Sequence, residues 1–133
     1  METFTIFLQT REREELIDIT TEIKQTLKKS SVKRGYVKIS IPHTTAAVTI
    51  NENSDSAVAY DFLTTLRKLI PKNRESQHVE GNSDAHLKSS IIGSRMDIII
   101  EEGQLKLGQW QGIFFCEFDG PRSRKVYLNV FGE

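Results

Sequence analysis

The chain has 133 residues, the length of one ordinary domain, and it can bury a core without disulfides or metals to staple it. Apolar residues make up 38% and charged residues 27% of the total, the balance of an ordinary globular protein. Lys plus Arg and Asp plus Glu number 18 each, so no basic excess exists to hold a nucleic-acid backbone, and a formal charge of zero is compatible with self-association.

Met1 to Leu8 alternates with strand period, Phe4, Ile6 and Leu8 on one face and Thr3 and Thr5 on the other. This N-terminal stretch lacks a basic leader followed by a long apolar run. Apolar runs such as Ile98-Ile99-Ile100 are far too short to span a bilayer. Cys116 is the single cysteine, so no intrachain disulfide can form. The expectation is a cytoplasmic protein with no membrane or nucleic-acid partner.

Arg11 to Glu15 marks a turn or an exposed strand start, and Leu16 to Ile19 returns to strand character. Thr20 can cap a helix over about residues 21–29, with Ile19, Ile23 and Leu27 on one face and Lys28 and Lys29 at its negative end. Ser30 to Gly35 reads as a loop, and Tyr36 to Ile41 alternates again as a strand. Pro42 cannot donate a ladder bond, so the strand stops there. Ala46 to Ile50 is the next strand, which leaves His43, Thr44 and Thr45 at a junction where polar side chains gather at the end of a sheet.

After the polar break Asn51 to Asp55, Ser54 or Asp55 can cap a helix whose apolar stripe is Val58, Phe62, Leu63, Leu66, Leu69 and Ile70. Pro71 closes it. Lys72 to Gln77 is a polar loop. Ser83 is expected to cap a short helix from Asp84 to about Ile92, ended by Gly93 in a left-handed conformation. Met96 to Ile100 reads as a buried strand, Glu101 to Gln104 as a hairpin connection, Ile113 to Phe118 and Val126 to Phe131 as strands around an Asp119-Gly120-Pro121-Arg122 turn. No repeat, linker or low-complexity segment interrupts the pattern, so residues 1–133 are read as one domain.

Residues 78–93 concentrate the chemistry. His78, Glu80, Asp84 and His86 fall within nine consecutive residues around a Gly81-Asn82-Ser83 turn. Imidazole is the commonest metal ligand and titrates nearest to neutral pH. Two histidines here, joined by His43 from its own loop, could form a three-ligand site with an open position, oriented by Glu80 or Asp84. The bland alternative is three structural histidines in loops. Gly81-Asn82-Ser83 before a helix also offers free N–H groups and a positive dipole end for a phosphate, with Lys88, Arg122 and Arg124 as possible cations. The alternative is a simple helix cap and solvated arginines. Asp55 could act as an acid or base or could merely cap its helix. Trp110 could line a pocket or serve the core or an interface, and Cys116 reads as an inert buried side chain.

Three segments carry a resemblance: Pro42 to Asn53 (PHTTAAVTINEN), Glu80 to Ser90 (EGNSDAHLKSS) and Leu107 to Arg122 (LGQWQGIFFCEFDGPR). They closely resemble the YjbQ-like family, described as secondary thiamine-phosphate synthases, in the right order and over nearly the whole chain. The resemblance implies an α+β fold, a compact sandwich-like arrangement of mixed β-sheets with two to three helices, assembled as a homotrimer. It implies a site at the subunit boundary with a divalent metal, zinc or magnesium, on His43, His78 and His86. The implied activity joins a pyrimidine pyrophosphate to a thiazole phosphate with loss of pyrophosphate. His86, His43 and Asp55 then become the catalytic candidates, His86 as ligand or base, and Asn82, Ser83, Lys88 and Arg122 the phosphate-holding ones. Where the family commonly reads Ala-Asp-Pro-Asp-Val this chain has Ser54-Asp55-Ser56-Ala57-Val58, so a second acid is missing and Asp55 stands alone. An enzyme, a non-catalytic binding trimer for a phosphorylated metabolite, and an interaction module with incidental histidines are the three classes to be separated.

Overall fold

Among the described residues, eight strands and three helices form in the order β1 (Glu2–Gln9), β2 (Glu15–Asp18), α1 (Thr20–Leu27), β3 (Gly35–Ser40), β4 (Ala46–Glu52), α2 (Ser56–Leu69), α3 (Ser83–Ile92), β5 (Arg95–Glu101), β6 (Gln104–Leu105), β7 (Gln111–Glu117) and β8 (Ser123–Gly132). The computed structural model describes residues 1–72 and 81–133. The strands make two sheets, β1-β8-β3-β5-β6 and β2-β7-β4, and every pairing is antiparallel.

The alternation in the sequence decides which faces meet. Ile6, Val37, Ile39, Ile98, Ile100, Val126, Leu128 and Val130 point inward from the large sheet and pack on Ala46, Val48, Ile113 and Phe115 of the small one. Ile19, Ile23 and Leu27 carry α1 into the same core. The small sheet is covered on its other face by α2 and α3, where Ala47, Cys116 and Phe118 meet Leu66 and Ala85. β7 is therefore enclosed on both sides, and its apolar run Ile113 to Cys116 is the signature of such a strand. β5 is not. It alternates, with Ile98 and Ile100 inside and Ile99 turned out at 56% exposure.

Two of the three helix starts differ from the sequence expectation. Thr20 is already helical, and Asp18 Oδ1 accepts from its N–H (2.9 Å) and hydroxyl (2.6 Å). The Thr20 hydroxyl oxygen in turn accepts from the Ile113 N–H at 2.8 Å, tying α1 to β7. Asp55 does cap α2, accepting from the Ala57 N–H at 2.9 Å. At α3 the N-cap position falls to Asn82 rather than Ser83.

Candidate functional site

β3 ends at Ser40, paired with Tyr127 of β8. Two residues further on, Pro42 would stand opposite Lys125, and proline has no N–H to continue a ladder. The chain turns out there, and the side chain that follows takes over: His43 Nε2 accepts the Lys125 backbone N–H at 2.9 Å. An imidazole that accepts at Nε2 is neutral and carries its proton on Nδ1. Burial and the Arg124 guanidinium both hold the His43 pKa below its usual 6.5.

α3 supplies the facing wall. Gly81 enters it at φ 77, which a side chain rarely adopts, and Asn82 follows at the N-cap. The Asn82 carbonyl accepts from Ala85 and His86, while its side-chain amide turns away and donates to Asp119 Oδ2 at 2.8 Å. Among the described residues, Asn82 Oδ1 is left buried and without a partner. His86 lies one turn into the helix. His43, Thr44, Thr45, Asn82, His86, Arg122 and Arg124 then line one cleft of about 690 Å³.

Both arginines are held by buried or half-buried acids. Arg124 Nε donates to Glu117 Oε1 at 2.8 Å, and its Nη2 bonds Glu117 Oε2 and Thr45 Oγ1, the latter at 2.8 Å. Thr10 adds a hydroxyl to Glu117 at 2.7 Å. Burial alone would raise the Glu117 pKa, but Arg124, the Asp119 N–H and Thr10 outweigh it and hold the carboxyl below its ordinary value. Arg122 donates from Nε to the Asp119 carbonyl (2.7 Å) and from Nη2 to its carboxylate (2.9 Å). Asp119 is lowered in the same way, burial being overcome by Asn82 and Arg122. Each guanidinium is bonded through Nε and Nη2, which fixes its plane at the wall of the cleft.

Of the candidates named from sequence, His43, His86, Asn82 and Arg122 come together here. Lys88 does not. It is 1% exposed, and its ammonium bonds Glu14 and Asp84, each at 2.8 Å. Arg13 bonds Asp84 at 3.1 Å and Arg67 bonds Glu14 at 2.6 Å, completing a network that pins α3 to the β1–β2 loop and α2. A buried ammonium needs this compensation, which is why Lys88 is unavailable to a phosphate. Asp55 is engaged as the α2 cap and is not a residue of the cleft, and neither is Ser83, the first residue of α3. Trp110 is exposed between β6 and β7, and burial pushes the Cys116 thiol pKa up, leaving it inert.

His78 and Glu80 lie outside the described residues. Among the described residues no group of three or more His, Cys, Asp or Glu could hold a metal ion. His43 already uses Nε2 for Lys125, so the two described imidazoles are not by themselves a ligand set. Glu117 and Thr10 were missed from sequence, and Thr45 was placed only at the sheet-end junction beside His43. The available signal was an acid closing the apolar run Ile113 to Cys116, because a buried carboxylate needs a cation and Arg124 begins the next strand.

A family model described as UPF0047 protein YjbQ-like matches residues 4–133. The chain is similar to UPF0047 protein MJ1081 of Methanocaldococcus jannaschii, 52% identical over 98% of this chain and 94% of that protein. It is 46% identical to UPF0047 protein YugU of Bacillus subtilis, over 96% and 98% of the two chains. Among solved structures, an uncharacterized YjbQ/UPF0047 protein of Clostridium acetobutylicum superposes with a TM-score of 0.94 at 49% identity, covering 96% of this chain and 99% of that one. Hypothetical protein APE1520 of Aeropyrum pernix gives a TM-score of 0.96 at 36% identity with both chains fully covered.

Proposed function

The chain belongs to the YjbQ-like UPF0047 family, and on that premise we propose that it is a small enzyme whose histidine-lined cleft takes a phosphorylated molecule, with thiamine-phosphate-synthase-type transfer as its reaction. In that reaction a thiazole ring nitrogen bonds to the methylene carbon of a pyrimidine pyrophosphate. The carbon–oxygen bond to pyrophosphate breaks, and the leaving group departs with the electron pair. The observation that carries the reading is the shared cleft: His43 and His86, 43 positions apart in the chain (86 − 43), both line it beside Asn82, Arg122 and Arg124.

The arginines, already oriented by Asp119 and Glu117, meet the leaving pyrophosphate with fixed donors, which stabilises developing negative charge without reorganisation. Neutral His43 donates a hydrogen bond from Nδ1, and His86 gives a proton to the departing pyrophosphate oxygen. A divalent ion, zinc or magnesium, on His43, His78 and His86 is an alternative part of the proposal, in which His43 would release the Lys125 N–H and ligate through Nε2; the ion would supply Lewis-acid charge to phosphate oxygens. Self-association as a homotrimer is a further part. Its support is the outer face of the large sheet, left uncovered by the described residues, which carries Phe7 (73% exposed) and Tyr127 toward one end and Tyr36 and Ile99 toward the other. Sedimentation equilibrium tests it.

Incubation with the two substrates should release pyrophosphate and form thiamine phosphate, and His86→Ala should lower that rate by about 10²-fold or more, the usual worth of a proton-transfer group. Tight binding of the pyrimidine pyrophosphate with no turnover would favour a non-catalytic binding protein for a phosphorylated metabolite instead. Neither binding nor turnover would remove both readings. Elemental analysis of protein purified without added metal, before and after chelation, decides the metal.

A further inference from the structure

The cleft does not end at the two imidazoles. Toward the C-terminal end of α3 it continues into a second lobe of about 340 Å³, which shares His43, Thr44 and His86 and is otherwise formed by Ala46, Ser89, Ser90, Gly93 and Ser94. His86, Ser89 and Ser90 are spaced i, i+3, i+4 and so share one helix face. Asn82 and Ser90 are roughly 12 Å apart along the axis at about 1.5 Å per residue. The two lobes differ in charge. The lobe at the helix start holds Arg122 and Arg124, whereas among the described residues the serine lobe has no Asp, Glu, Lys or Arg. The helix dipole acts in the same sense, favouring an anion at the N-terminal end and opposing one at the C-terminal end.

The serine lobe also carries an unmet demand. Ser89 is 6% exposed, and among the described residues its hydroxyl has no hydrogen-bond partner, although it could have bonded back to a carbonyl of its own helix. A buried polar group without a partner is uncommon and calls for one. Gly93, at φ 104, leaves open space where a Cβ would stand, so no described residue fills the lobe from that side.

We propose that the serine lobe is a second subsite, which takes the uncharged, hydrogen-bonding end of the ligand while the arginine lobe takes its phosphate. The ligand class is thus a phosphate or pyrophosphate ester of a small neutral group bearing both donors and acceptors, a polar heterocycle or an alcohol. The ester linkage lies at the waist between His43 and His86. Hydroxyls suit such a group because each can donate and accept. This rests on the function proposed above and concerns binding only.

The test is calorimetric titration of the full chain with inorganic pyrophosphate and, separately, with the pyrimidine pyrophosphate. Wild-type protein should bind the ester at least about tenfold more tightly than the bare anion, the scale of one or two buried hydrogen bonds. Ser90→Leu and Ser94→Leu, at exposed positions that tolerate a larger side chain, should erase that advantage and leave pyrophosphate affinity within about twofold. Ser89→Ala should raise the Tm of the free protein, because it removes an unpartnered hydroxyl, and still weaken the ester alone. A purely structural serine would not separate the two ligands. Equal affinities of wild type for ester and anion, or an advantage that survives in both leucine variants, would overturn the subsite and leave the phosphate cleft standing. Failure of wild type to bind pyrophosphate at all would overturn the phosphate reading and the subsite together.

Discussion

The His43 imidazole accepts the backbone N–H of Lys125 across 82 residues of sequence, at the place where Pro42 breaks the β3–β8 ladder. One side chain thereby finishes a sheet and is presented to the cleft as a neutral donor. Its titration should report this. The folded pKa lies below the 6.5 of a free histidine, so the neutral ring is what folding favours. The associated stability is present above the unfolded pKa and is lost as pH falls through 6.5 toward the lower folded value. NMR titration should place the His43 midpoint below 6.5, and bound pyrophosphate should raise it by favouring the imidazolium. A midpoint above 6.5 in the free protein would contradict the geometry.

Removal of the ring separates its two roles. The Lys125 N–H is near solvent, so His43→Ala should cost only about 1 kcal/mol of stability in urea unfolding. Pyrophosphate affinity should fall by about tenfold in calorimetry, the loss of one good hydrogen bond to an anion. Unaltered affinity would take His43 out of the binding site.

Lys88 should behave in the opposite way. Lys88→Met leaves the Asp84 and Glu14 carboxylates without their shared ammonium, and breaking a buried pair from one side typically costs about 3–5 kcal/mol. Folded variant, where it can be prepared, should still bind pyrophosphate within about twofold. A stable Lys88→Met protein with lost phosphate binding would return this lysine to the cleft.

Glu117 gives an acid signature. Its folded pKa is held below 4.5, so its contribution is full above 4.5 and is lost as pH falls through the folded value. Glu117→Gln should lower stability at pH 7 by about 3–5 kcal/mol, since Arg124 loses its buried counter-charge. The variant should show a shallower loss between pH 4.5 and lower pH than wild type, read from Tm against pH. Parallel curves would mean that the pair is not intact in solution.

Asp55 is the control. As the α2 cap, Asp55→Ala should lower stability by about 1 kcal/mol and leave ligand binding and turnover unchanged. A drop in turnover with no stability change would restore it as an acid or base.

Period and punctuation determined much of this protein without coordinates. Alternation in Phe4-Ile6-Leu8, the 3.6-residue stripe of α2 and the breaks at Pro42, Pro71 and Gly93 are short-range facts, and each corresponds to an observed element or boundary. The Gly81-Asn82-Ser83 turn before α3 was legible for the same reason, since a helix start is built within a few residues. Lys88 misled because the sequence shows a cation near that turn and not which side of α3 it faces; Glu14 and Asp84 decide that from β1–β2 and from α3 itself. Only the tertiary structure could bring His43, the Glu117–Arg124 pair and the serine lobe together. Their meeting depends on β-sheet register and helix docking between segments tens of residues apart, and no local pattern encodes a distance across the fold.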